Sequence, residues 1–185
     1  MIKTALRILL VEDLKTDADL ISYHIGKIVE NPEIKVTDNL EEVSVLLQNF
    51  APDVILSDYN LPACTGLDVL RLVKDFDADM PFIFVTGTID DDELAANTIL
   101  TGASGFVLKK NMRVIGEKLK PLLKQVVFNM IEKVELREKI RQNKIAVNQI
   151  YRYLDHFEAD SEEQRDYLAK IRKNIDQIKL ERDAK

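Results

Sequence analysis

The chain has 185 residues, of which 46% are hydrophobic and 31% charged, with a formal net charge of −6. This is apolar material for one domain of ordinary size plus an additional segment, and the acidity argues against nonspecific nucleic-acid binding by charge alone. One cysteine, Cys64, excludes an internal disulfide; with no membrane-length apolar run and no signal-peptide pattern in MIKTALRILLVED, a cytoplasmic protein is expected.

The charge is unevenly placed. Residues 125–185 hold 13 basic and 12 acidic side chains, whereas the first 124 hold 13 basic and 20 acidic. All six glycines and all five prolines also precede residue 125, so the remainder is expected to be long helix. Two domains are predicted, 1–124 and 125–185.

In chain order, Ile8–Val11 is a short apolar run that reads as a strand. Leu20, Ile21, Ile25 and Ile28 follow at helical spacing, with Thr16 and Asp19 as a capping pair. Ile34–Val36 is the second strand, and Leu40, Val43, Leu47 and Phe50 mark the second helix. Val54–Ser57 is the third strand, followed by a helix carrying Leu67, Leu70 and Val73. Phe82–Thr86 is the fourth strand, and Asp90 caps a helix with Leu94, Ala95 and Ile99. Phe106–Leu108 is the fifth strand, and the last helix of this part begins at Val114. Five βα units with short continuous apolar strands imply an α/β fold, a doubly wound five-stranded parallel sheet covered on both faces.

In such sheets, ligands bind at the carboxyl ends of the strands. Glu12 and Asp13 follow strand one there, Asp58 follows strand three, Thr86 ends strand four and Lys109 follows strand five. Each has an ordinary reading: solvated loop acids, a turn cap before Pro62, a strand-end hydroxyl, a surface lysine. Together they are harder to dismiss, because clustered carboxylates repel one another and raise one another's pKa values. A hard dication such as Mg²⁺ relieves that repulsion and keeps open positions for phosphate oxygens. Lys109 and the Thr86 hydroxyl would meet the remaining oxygens of a phosphoryl group, which makes a site for phosphoryl transfer to a carboxylate.

The segments LRILLVED, ILSDYNLP with Thr65-Gly66-Leu67, PFIFVTGT and GASGFVLK, in that order and spacing over residues 4–124, resemble the receiver domain of bacterial response regulators. The resemblance implies a flavodoxin-like fold with Asp58 as phosphoacceptor. It implies Mg²⁺ or Mn²⁺ held by the side chains of Glu12, Asp13 and Asp58 and by the backbone carbonyl of Asn60. It makes Thr86 the switch hydroxyl, Lys109 the phosphate-binding lysine, and Phe106 the aromatic whose rotamer follows Thr86. It also implies a histidine kinase or phosphotransfer protein as partner. One position departs from the family pattern: Lys110 stands where the family usually has a proline, often cis. A cis bond to a non-proline costs about 3–4 kcal/mol, so a trans Lys109–Lys110 peptide is predicted. Cys64 is assigned no role.

Beyond residue 125, Leu136, Ile140, Asn143, Val147, Ile150, Leu154 and Phe157 form a heptad seam with one polar position; Val127, Met130 and Val134 lie on another register. EADS at 158–161 breaks the pattern, Ser161 and Gln164 offer a capping box, and Leu168, Ile171, Ile175 and Ile178 resume it. Two antiparallel helices are expected, roughly 112–157 and 162–182. The second weakly resembles the second helix of the dimerisation hairpin of histidine kinases. The expected function is a phosphorylation-dependent switch whose C-terminal hairpin dimerises the chain or docks a partner. The alternative is a phosphorelay intermediate whose hairpin passes phosphate on through His156. A third reading, a phosphatase of the haloacid-dehalogenase kind, is disfavoured because Asp58 follows the third strand and Asn60 replaces the second Asp. No catalytic output motif is visible, so no enzyme activity beyond self-phosphorylation and autodephosphorylation is expected. No helix-turn-helix is visible either, so neither a nucleic-acid nor a membrane partner is expected.

Overall fold

The computed structural model describes residues 1–87, 102–131, 134–155, 166, 168–171 and 173. In chain order the elements are β1 (Arg7–Val11), α1 (Lys15–Ile28), β2 (Glu33–Thr37), α2 (Leu40–Asn49), β3 (Val54–Ser57), α3 (Gly66–Phe76), β4 (Phe82–Thr86) and β5 (Gly105–Leu108). A 3-10 turn (Lys109–Val114), α4 (Ile115–Ile131) and α5 (Val134–Asp155) follow. The expected helix from Asp90 to Ile99 and most of the expected 162–182 helix lie outside the described residues.

All five strands are parallel, in the order β2-β1-β3-β4-β5. The period of two along a strand divides the core. Ile8, Leu10, Val54, Leu56, Ile83 and Val85 face one side, where Ile21 and Ile25 of α1 and Leu119 and Leu123 of α4 cover them. Leu9, Val11, Ile55, Phe82 and Phe84 face the other, under Val43 and Leu47 of α2 and Val69, Leu70 and Val73 of α3. Every residue of β3 and β4 is buried, because both lie inside the sheet with helices on both faces. Only β1 pairs with β2, whose burial is accordingly slight.

Helix starts are set locally. The Asn39 side chain accepts from the Glu41 and Glu42 amides at the start of α2, at 2.7 and 3.2 Å. Thr65 and Asp68 form a complete capping box on α3. The expected Thr16–Asp19 cap is not formed. The helix begins earlier, with Leu14 as N-cap and the Leu14 carbonyl accepting from the Asp17 and Ala18 amides, so Thr16 already lies inside the first turn. Asp19 pairs with Lys15 instead.

The chain divides into two compact units, Met1–Arg137 and Glu138–Lys185. Residue 124, where the sequence places a boundary, falls inside α4. Val126, Val127 and Met130 are buried in the core shared with α1, which explains why their register differs from the seam that follows. In the second unit, Asn143 and Ile150 are exposed on α5, Val147 and Leu154 are half-buried, and Ile171 is exposed. His156 and Phe157 lie outside the described residues.

Candidate functional site

The order β2-β1-β3 places the switch in winding direction between β1 and β3, where an open α/β sheet forms a crevice at its carboxyl edge. Val11 and Ser57 are register partners, and the Asp58 amide donates to the Val11 carbonyl at 2.9 Å. The Glu12 amide donates to Thr37 on the opposite flank at 2.9 Å. The backbone therefore carries Glu12 and Asp58 out of adjacent strands side by side. Carboxylate oxygens of Glu12, Asp13 and Asp58 lie within 4.8 Å of one another, with Asp13 less buried than the other two.

Lys109 reaches this crevice from the end of β5. Its Nζ donates to Glu12 Oε2 at 2.6 Å and to Asp58 Oδ2 at 2.7 Å, and it pairs with Asp17 Oδ2 at 3.0 Å. The second oxygen of Asp58, Oδ1, accepts from the Tyr59 and Asn60 amides at 2.5 and 3.3 Å. Asn60 is exposed on the loop that an isolated bridge to Thr65 closes. At the end of β4 the Thr86 hydroxyl is buried and has no hydrogen-bond partner among the described residues. Phe106 is half-buried on the neighbouring strand. Because Phe84 aligns with Phe106 and Thr86 with Leu108, Phe106 is the diagonal same-face neighbour of Thr86. The Lys109–Lys110 peptide is trans, as the missing proline predicts.

Burial pushes the Glu12 carboxyl above its ordinary range; the hydrogen bond to Lys109 and its charge pull the other way, and the charge of Asp58 adds to the rise. Burial alone would weaken the Lys109 ammonium, but hydrogen bonds to Asp58, Glu12 and Asp17 outweigh that loss and hold its pKa above the ordinary lysine value of 10.5. Three carboxylates thus contact one ammonium, and Asp13 adds a further acid beside Glu12 and Asp58. The donor set is hard oxygen in excess of positive charge, which fits an oxygen-seeking dication.

The structure brings Glu12, Asp13, Asp58, Thr86 and Lys109 to one edge, with Asn60 and Phe106 beside them. Asp17 is the participant that sequence reasoning passes over. Its signal is an acid in the first turn of the helix that follows the acidic pair, flanked by the competing capping pattern of Thr16 and Asp19. The Cys64 thiol is raised, chiefly by burial and then by the charge of Asp68, which agrees with an inert thiol.

Residues 8–120 match the response regulator receiver domain family. Among curated relatives, an uncharacterised transcriptional regulatory protein of Bacillus subtilis, YvcP, is 29% identical over 121 residues, covering 64% of this chain and 49% of that protein. A protein-glutamate methylesterase/protein-glutamine glutaminase of Treponema denticola is 30% identical over 130 residues, covering 64% of this chain and 34% of that protein. The chain therefore spans half or less of the length of these relatives. Among solved structures, the signal receiver domain of a Vibrio parahaemolyticus LuxO repressor protein superposes with a TM-score of 0.61 at 25% identity, over 70% of this chain and 98% of that one. The Mn²⁺-bound form of the response regulator Rcp1 superposes with a TM-score of 0.54 at 21% identity, over 63% of this chain and 91% of that one. A parallel sheet of this order, an acidic crevice at its carboxyl edge and a family match over most of the first unit lead to one conclusion: the chain belongs to the response regulator receiver family.

Proposed function

We propose that this protein is a signalling switch that accepts a phosphoryl group on Asp58 from a histidine kinase or phosphotransfer protein. The observation that carries this reading is the contact at 2.7 Å between Lys109 Nζ and Asp58 Oδ2, which joins a carboxylate and a fixed cation across β3, β4 and β5. An Asp58 oxygen attacks phosphorus, the bond from phosphorus to the donor's leaving atom breaks, and an acyl phosphate remains. Lys109 lies where negative charge accumulates on the phosphoryl oxygens, and it arrives already oriented, so little reorganisation is needed. The Thr86 hydroxyl, without a partner among the described residues, would meet a phosphoryl oxygen, and Phe106 on the neighbouring strand would respond to it.

Glu12, Asp13 and Asp58 would hold Mg²⁺ or Mn²⁺ through their carboxylates, and Asn60 through its backbone carbonyl. When bound, the ion neutralises charge on the carboxylates and the transferred group. The test is incubation with acetyl phosphate, with and without Mg²⁺. Wild type is expected to take label only with the metal, and Asp58→Asn to take none. Label that persists in Asp58→Asn, or that is found on His156, contradicts the assignment.

The helical segment from Val134 onward is proposed to make the chain a homodimer. In the single chain Ile150 is 43% and Ile171 40% exposed, with Val147 and Leu154 half-buried on the same seam as Ile150. Burying such side chains against a second copy stabilises by roughly 1.5–3 kcal/mol each. Light scattering is expected to give a dimer for the full chain and a monomer for a chain truncated after Arg137. A monomeric full chain contradicts the proposal.

A further inference from the structure

An ammonium has three N–H donors. Lys109 donates to Glu12 Oε2 at 2.6 Å and to Asp58 Oδ2 at 2.7 Å, and a third carboxylate, Asp17, forms an ion pair with it through Oδ2 at 3.0 Å. Three carboxylates thus occupy the one ammonium. The reading of Asp58 as phosphoacceptor requires Lys109 to donate to a phosphoryl oxygen as well, so one carboxylate has to release it. The three are not equivalent. The Glu12 side chain is 0% exposed and that of Asp58 10%, so bulk water is poorly placed to replace the ammonium at either. The Asp17 side chain is 26% exposed and its contact is the longest, so water readily replaces Lys109 there. Asp17 is also carried on α1, outside the strand-end backbone that fixes Glu12 and Asp58.

We propose that Asp17 is a positioning residue that holds Lys109 in the unphosphorylated arrangement and competes with the phosphoryl group for its ammonium. No covalent bond changes at Asp17: one ion-pair contact of the ammonium is exchanged, from Asp17 Oδ2 to a phosphoryl oxygen. Asp17 thereby sets how readily the site takes its phosphoryl group. This inference rests on the roles proposed above for Asp58 and Lys109.

The experiment is a titration of the full chain with beryllofluoride (BeF3⁻), a phosphoryl mimic that is not turned over, at saturating Mg²⁺, followed by NMR. Asp17→Asn is expected to tighten BeF3⁻ binding about two- to fivefold, the size of one partly exposed charged contact. Asp17→Glu, which keeps the carboxylate, is expected to return toward wild type. In a Lys109→Gln background the gain from Asp17→Asn is expected to vanish. In the ligand-free protein, Asp17→Asn is expected to shift the Lys109 Nζ resonance, which a purely structural role for Asp17 would leave in place. Unchanged affinity in Asp17→Asn, a full gain retained in the Lys109→Gln background, or an unmoved Nζ resonance overturns the proposal. Those results would leave the phosphoacceptor reading intact. Failure of the wild type to bind BeF3⁻ and to take label from acetyl phosphate would overturn both.

Discussion

The Thr86 hydroxyl is buried at the end of β4 and meets no partner among the described residues. A buried polar group left unpaired costs about 1–3 kcal/mol, a penalty that a hydrogen bond to a phosphoryl oxygen would relieve. Thr86→Val keeps the shape and removes the hydroxyl. It is expected to leave stability in urea unchanged or to raise it by about 1 kcal/mol, while abolishing the response of the Phe106 ring to BeF3⁻. A clear loss of stability would mean that the hydroxyl has a partner after all. Lys109 acts in the opposite sense. Lys109→Met strands the buried Glu12 charge and is expected to destabilise by about 3 kcal/mol at neutral pH. Because the folded-state pKa of Lys109 is raised, its stabilisation is complete below 10.5 and is lost as pH rises through the higher folded value. The stability gap between wild type and Lys109→Met should therefore narrow in strong alkali, and also in acid, where Glu12 takes up a proton and no buried charge is stranded. Denaturation midpoints measured against pH check this.

At the scale of elements, the interior strands were readable directly. Val54–Ser57 and Phe82–Thr86 have the predicted bounds, because a strand buried on both faces is a continuous apolar run between polar residues. Helix starts were less legible, because several polar residues compete to cap and only one backbone geometry prevails. Leu14 starts α1 without a side-chain cap, whereas Thr65 and Asp68 cap α3 reciprocally. That second start also explains Gly66. A Cβ there would stand 2.4 Å from the Asp58 carbonyl oxygen, 2.9 Å from Tyr59 Cα and 2.8 Å from a ring carbon of Phe84. Two of these are backbone atoms of the loop that carries the proposed phosphoacceptor. Gly66→Ala is expected to destabilise by about 1–3 kcal/mol and to slow labelling of Asp58. Urea denaturation beside a phosphorylation time course would register both, and normal behaviour in each would disprove the close-approach account.

For the whole molecule, the division after Arg137 changes how a truncation should behave. A chain ending at residue 124 loses Val126, Val127 and Met130, which the core shared with α1 buries. Each contributes roughly 1.5–3 kcal/mol, so that chain is expected to melt well below one ending at Arg137. Calorimetry on the two truncations decides; equal melting temperatures would place the true boundary earlier. Among the described residues no helix is long and apolar enough to cross a membrane.

The sequence by itself determined the parallel α/β class and the set Glu12, Asp13, Asp58, Thr86 and Lys109. Strand periodicity and the rule that ligands gather at carboxyl ends are local and topological facts, and both can be read along a chain. Only the tertiary structure decided that Asp17 joins Lys109, that Val126, Val127 and Met130 belong to the receiver core, and that no cap forms at Thr16. In each case the deciding quantity was which surfaces meet. A helix face looks the same in sequence whether it covers a sheet or another helix, and an acid on α1 has no partner until β5 delivers a lysine beside it.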